Sequence, residues 1–202
     1  MPGGRQRTVA TWTDPRTGLI VQCEQTTYRD FPAVEWLVRF TNCGPADTPI
    51  IDDFQAMDWE LADQIADGTF TLHRTGGGIS QASDFEVSVE TVSQSKPATL
   101  RASGGRSSNC DLPFFRVDGA KTTAIVAVGW SGQWKAHLAC VPRDGQSVLQ
   151  VVAGLESTHF RLHPGESVRG PRMLVLLHHG DPEMSNSIFR RLIARYYALP
   201  FA

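Results

Sequence analysis

Residues 121–138, KTTAIVAVGWSGQWKAHL, constrain the fold of this chain more than any other stretch. Positions 124–129 form an almost unbroken apolar run, short enough for a strand covered on both faces. The run ends in Gly129-Trp130-Ser131-Gly132-Gln133-Trp134, where two glycines loosen a turn between two indoles. On a strand, Trp130 and Trp134 share a face, with Ser131 and Gln133 on the other. An indole buries a large area but needs a partner for its N–H, which puts such a pair at a sheet rim, a sandwich corner or a sugar-binding platform. The inside of a sandwich is the favoured reading.

The segments around this core repeat the pattern. Residues 7–24 read as a hairpin, RTVATW and LIVQCE, joined by Asp14-Pro15-Arg16-Thr17-Gly18 with Pro and Gly where a turn wants them. Beyond Pro32, Val34, Trp36, Val38 and Phe40 alternate with Glu35 and Arg39, which predicts an antiparallel strand at 34–41 with one wet face. Further strands are expected at 50–61, 70–73, 147–156, 158–164 and 173–177, with a turn at Asp67-Gly68. Gly76-Gly77-Gly78 precedes an alternating segment rather than a helix, so it reads as a mobile surface loop and not a phosphate cradle.

The one expected helix lies at 182–199. Asp181 serves as N-cap, Pro182 takes the first helical position and Glu183 favours the dipole. Ile188, Phe189, Leu192, Ile193, Tyr196 and Tyr197 form a broad apolar stripe, and Pro200 stops the helix. Many short strands and one terminal helix predict a mainly β fold, a large antiparallel β-sandwich with one C-terminal α-helix, as a single domain over residues 1–202.

Composition narrows the partners. The net charge is −2 and no basic stripe appears, which argues against nucleic acid and anionic membrane surfaces. No apolar run approaches the ~20 residues of a membrane span. The N-terminus has arginines but no apolar segment behind them, so no signal peptide is read and a cytoplasmic location is expected. Cys23, Cys43, Cys110 and Cys140 lack CxxC spacing and are expected as reduced, small buried residues.

Catalytic patterns are weak. Gly129-Trp130-Ser131-Gly132 has its second glycine one residue too early for a nucleophile elbow. His178 and His179 are adjacent and diverge on a strand, while Pro164-Gly165 rules out a helical pairing of His159 with His163. Asp52 and Asp53 are neighbours, and Asp53 and Asp58 are five apart, so neither pair makes the ~5–5.5 Å couple of a retaining glycosidase.

The ordered set YRDFPAVEWLVRFTN, PIIDDFQAMD, TLHRTGG, AVGWSGQW, FRLHPGESVRGPRMLV and NSIFRRLIARYY resembles the N-terminal domain of glycoside hydrolase family 36, the α-galactosidase (melibiase) family. The resemblance implies a β-supersandwich that packs on a catalytic (β/α)8 barrel. In that family both catalytic aspartates lie in the barrel. No residue of this chain is therefore assigned a catalytic role, and no cofactor or metal is implied. In some members a loop of this domain borders the galactose site of its own or a neighbouring barrel. The matching stretch here is IDDFQAMDWEL, which makes Asp53, Asp58 and Trp59 the candidates, with 55–60 presenting a carboxylate and a ring outward. The implied partners are an α-galactoside or related sugar, weakly bound, a barrel of the same or another chain, and other copies in a homo-oligomer. A stand-alone carbohydrate-binding or assembly sandwich is the alternative.

Overall fold

A computed structural model describes residues 4–63 and 68–198. Asp67 of the expected turn and Pro200 of the helix stop lie outside the described residues. The hairpin is β1 (Arg5–Thr13) and β2 (Leu19–Tyr28), followed by β3 (Ala33–Asn42). Next come β4 (Ile51–Asp52), β5 (Gln55–Leu61), β6 (Phe70–Thr75), β7 (Val87–Val92) and β8 (Ala98–Arg101). The second half holds β9 (Phe114–Asp118), β10 (Thr122–Gly129), β11 (Trp134–Arg143) and β12 (Gln146–Leu155). The chain closes with β13 (His159–Phe160), the long β14 (Ser167–His179) and helix α1 (Pro182–Tyr196).

Two antiparallel sheets face each other. The larger runs β1-β2-β3-β14-β10-β9-β6-β7 and the smaller β5-β12-β11-β8, with β13 and β4 as a separate pair. Inward side chains of the large sheet, Leu72, Phe115, Val117, Val126, Val128, Met173 and Val175, meet Met57, Leu100, Trp134, Leu138, Leu149 and Val151 of the small one. Each such side chain contributes roughly 1.5–3 kcal/mol of burial before entropy. On the other face of the large sheet, Ile125, Leu174 and Leu176 pack under Leu192 of α1. Strand β10 is thus covered from both sides, as its apolar run demands. Four strands cannot cover eight, and β1, at the far edge, is exposed along its whole length.

The helix starts as its sequence predicts. The Asp181 carboxylate accepts a hydrogen bond from the Glu183 N–H at 3.0 Å, with Pro182 at the first position. The first hairpin closes on its Asp-Pro turn. Asp14 accepts from the Thr17 hydroxyl at 2.6 Å and from the Arg16 N–H at 3.1 Å, and Gly18 takes φ +75°. These bonds, the Thr17 hydroxyl first, hold the Asp14 carboxyl below its usual range.

Four local expectations are corrected. Trp130 and Trp134 do not share a strand. Trp130 sits half-buried in the turn, whereas Trp134 opens β11, fully buried, its Nε1–H donating to the Ser107 carbonyl at 2.7 Å. Gly76-Gly77-Gly78 is paired rather than free: its three N–H groups donate to Glu86, Cys110 and Ser108 carbonyls at 2.8–2.9 Å. A Cβ on Gly77 would lie 1.9 Å from the Ser108 carbonyl oxygen, so close backbone approach explains the glycine. Residues 50–61 split into β4 and β5 of different sheets, because the chain bends at Asp53. Of the four free cysteines only Cys140 is buried, while Cys43 and Cys110 are exposed.

Candidate functional site

One end of the sandwich is assembled from four connections. Asp53, in the bend between β4 and β5, takes φ +44°, a left-handed conformation that Asp tolerates better than most residues. The bend is pinned by its own backbone: the Asp53 N–H donates to the Thr158 carbonyl at 3.2 Å and the Phe54 N–H to the Thr158 hydroxyl at 2.7 Å. The Asp53 carboxylate, largely exposed, accepts from Gln55 Nε2 at 2.7 Å and stands 3.9 Å from Lys135 Nζ. Beside it, Asp52 pairs with His159 at 3.4 Å, and Gln133 donates to the Glu156 carboxylate. Arg169, at the bulge of β14, lies over the Trp130 ring at 5.4 Å from its centroid. Carboxylates, amides, an ammonium and an indole on one rim are the groups that hold sugar hydroxyls and cover an apolar sugar face.

The three candidate residues do not converge. Residues 55–61 are strand β5, not a projecting loop. Asp58 and Trp59, as strand neighbours, therefore point to opposite faces. Asp58 is exposed on the outer face of the small sheet, accepting from Gln150 Nε2 at 2.8 Å. Trp59 is half-buried and packs against the main core. Asp53 belongs to the rim, roughly 16 Å away along the strand at ~3.3 Å per residue. Glu60 shares the Asp58 face, pairs with Arg143 at 2.7 Å and is likewise exposed to solvent. Asp84 is engaged in its own turn, accepting from the Ile79, Ser80 and Gln81 N–H groups, the Ile79 bond first in holding its carboxyl below the usual range.

Two polar clusters under α1 escape a reading by alternation. Glu35 occupies the face of β3 expected to be wet, yet it is 3% exposed because the end of α1 covers it. Its carboxylate takes Arg172 Nη1 at 2.7 Å and the Tyr197 hydroxyl, and Tyr197 meets the Tyr28 hydroxyl at 2.9 Å. Burial first pushes Tyr28 up to about 12, and burial with the Glu35 carboxylate raises Tyr197 as well. At the other end of the helix, Arg116 is buried between Asp118 at 3.1 Å, Glu183 at 2.8 Å and His73 at 3.2 Å, and Asp118 also takes His73 at 2.9 Å. These residues signal nothing in sequence, since each becomes a partner only when distant strands pair. Between the clusters runs a groove of about 980 Å³ with α1 as its wall.

Among the described residues, no group of three His, Cys, Asp or Glu side chains is placed to hold a metal ion. Nor, among the described residues, is any helix long and apolar enough to cross a membrane.

No protein-family model matches the sequence, and no curated protein matches it. Solved structures do match the fold. The α-galactosidase AgaA of Geobacillus stearothermophilus, in complex with stachyose, superposes with a TM-score of 0.74 at 15% identity over 94% of this chain and 26% of its own. The α-galactosidase of Lactobacillus brevis gives 0.68 at 14% identity, over 87% of this chain and 23% of its own. AgaB of G. stearothermophilus gives 0.68 at 16% identity, over 87% and 24%. The fold is thus one found within family 36 α-galactosidases, and the chain spans about a quarter of their length.

Proposed function

We propose that this chain is a non-catalytic sandwich domain of an α-galactosidase-like glycoside hydrolase, which supports a catalytic domain and edges its sugar site. The observation that carries the reading is the match of nearly the whole chain to a quarter of sugar-processing chains. The rim around Asp53 is the part that meets sugar. Its carboxylate is exposed, held in direction by Gln55, and flanked by Lys135. Asp58 and Trp59, on opposite faces of β5, do not act as a pair. The exposed Cys43 and Cys110, neither in a disulfide, fit a reducing compartment, so a cytoplasmic location is part of the proposal.

The test is Asp53→Ala in the full reading frame that contains residues 1–202. A rim carboxylate touches ground state and transition state alike, so KM for an α-galactoside should rise several-fold with kcat little changed. Asp58→Ala should do less. The 202-residue chain alone should bind galactose in the millimolar range or weaker, because few contacts remain to offset lost translational freedom. Unchanged KM in Asp53→Ala would remove the rim from the sugar site.

A further inference from the structure

Strand β7 ends the large sheet on the side away from β1, with β6 as its neighbour. The Gly76 N–H donates to the Glu86 carbonyl at 2.9 Å, and these two residues stand opposite each other when the Thr75–Val87 register is continued by one. Even-numbered residues of β7 therefore bond to β6, while Val87, Val89 and Thr91 turn their N–H and C=O groups to the open side. The side chains of the same residues are exposed, Val87 at 68% and Val89 at 59%. Ile79 and Phe85, in the connection that leads into the strand, are 49% and 61% exposed, so the apolar edge extends past it. Open edges are normally blunted by charge, proline or a bulge. At the opposite edge, β1 carries Arg5 and Arg7. Strand β7, VSVETV, has no such guard: its single charge, Glu90, is already held by Arg74 at 3.3 Å.

This strand is complementary to itself in one register. Two copies related by a two-fold axis normal to the sheet pair antiparallel, and only residues of the same face oppose each other. With Val89 opposite its own copy, Val87 meets Thr91 and Ser88 meets Glu90. The outward residues then form the hydrogen-bonded pairs Val87–Thr91, Val89–Val89 and Thr91–Val87, two bonds to each. Each Glu90 carboxylate gains a serine hydroxyl, and the exposed valines of both copies line up in one apolar row. A slide by one allowed step in either direction opposes like charges. Glu86 meets Glu90 one way, and Glu90 meets its own copy the other way.

We infer that β7 is a self-association edge, on which a second copy of this chain docks antiparallel about Val89 and joins the two large sheets into one. The inference stands on the open edge, its exposed valines and the charge pattern that selects one register. It does not depend on the reading of the chain as a domain of an α-galactosidase-like protein. A strand pair of this length lies at the small end of specific interfaces, so the dimer forms at about 10–100 μM chain.

Sedimentation equilibrium of purified residues 1–202, from about 5 to 500 μM, should pass from monomer to dimer. Val89→Lys sets two ammonium groups opposite each other and should raise the dissociation constant about tenfold or more. Val89 is exposed and supports no core, so the variant should melt within about 2 °C of wild type. Amide exchange followed by NMR fixes the edge. Over the same concentrations the Val87, Val89 and Thr91 amides should slow about fivefold or more, while the amides of β1 keep their rates. A chain that stays monomeric at about 500 μM would overturn the inference, as would a dimer that Val89→Lys leaves intact. Slowing on β1 in place of β7 would overturn it too, by assigning the contact to the opposite edge. None of these results bears on hydrolysis by the full reading frame, so the domain reading stands or falls separately.

Discussion

Glu35 shows how one buried carboxylate ties the last helix to the large sheet. It holds Arg172 from β14 and Tyr197 from the end of α1 at once, and Tyr197 passes the contact on to Tyr28 of β2. Removing it takes the partner from a half-exposed guanidinium and from the Tyr197 hydroxyl, which keeps only Tyr28, so Glu35→Ala should destabilise the chain by about 1–3 kcal/mol, measured by urea unfolding. The tyrosines give a pH signature. Their folded pKa values are raised, Tyr28 to about 12, so their contribution is complete below the ordinary tyrosine value of ~10 and is lost as pH climbs through the folded value. Tyr196, which donates to Asp30, is raised as well, burial first. Tyrosinate absorbance should therefore stay low past the ordinary value and appear together with loss of near-ultraviolet dichroism. Glu183 runs the other way. Arg116 holds its carboxyl below the usual range, so its contribution is present above ~4.3 and is lost as pH falls through the folded value. Glu183→Gln should flatten the acid limb of the melting-temperature profile.

At the scale of elements, the periodic segments were legible and the partnerships were not. The 124–129 run, the Asp14–Gly18 turn and the Asp181-Pro182 helix start each carry their reason locally, and each forms as read. Asp181→Ala should cost about 1 kcal/mol in thermal or urea unfolding, the usual worth of an N-cap. Strand β3 was legible as a strand, but its Glu35 face was misjudged as wet because alternation cannot say which face a distant helix will cover. Gly76-Gly77-Gly78 misled in the same way. Its composition suggests freedom, while the actual reason is a backbone approach to Ser108 that no local pattern records. Gly77→Ala should therefore destabilise far more than a loop substitution, by several kcal/mol if the two backbones cannot part. The candidate site divides similarly. Asp53 was found through the IDDFQ stretch, but Gln55, Lys135 and Thr158, which orient it, meet only when β5, β11 and the 156–158 connection come together. Asp58 and Trp59 were grouped through the family-like stretch IDDFQAMDWEL, and the two-residue period of β5 separates them.

For the whole molecule, the two sheets and α1 form a scaffold with two unlike ends of interest, a polar rim at Asp53 and an apolar groove under the helix. On the reading proposed above the rim meets sugar, and the catalytic carboxyl pair belongs to another domain. A retaining mechanism needs two carboxyl groups held ~5–5.5 Å apart across one bond, with one kept protonated by its surroundings. Turnover of an aryl α-galactoside by purified residues 1–202, set against the full reading frame under the same conditions, tests the central claim most directly. The account predicts release at the buffer rate from residues 1–202 and ready hydrolysis by the full chain. Hydrolysis by residues 1–202 that saturates with substrate and disappears on heat denaturation would contradict it, and would make this sandwich an enzyme in its own right.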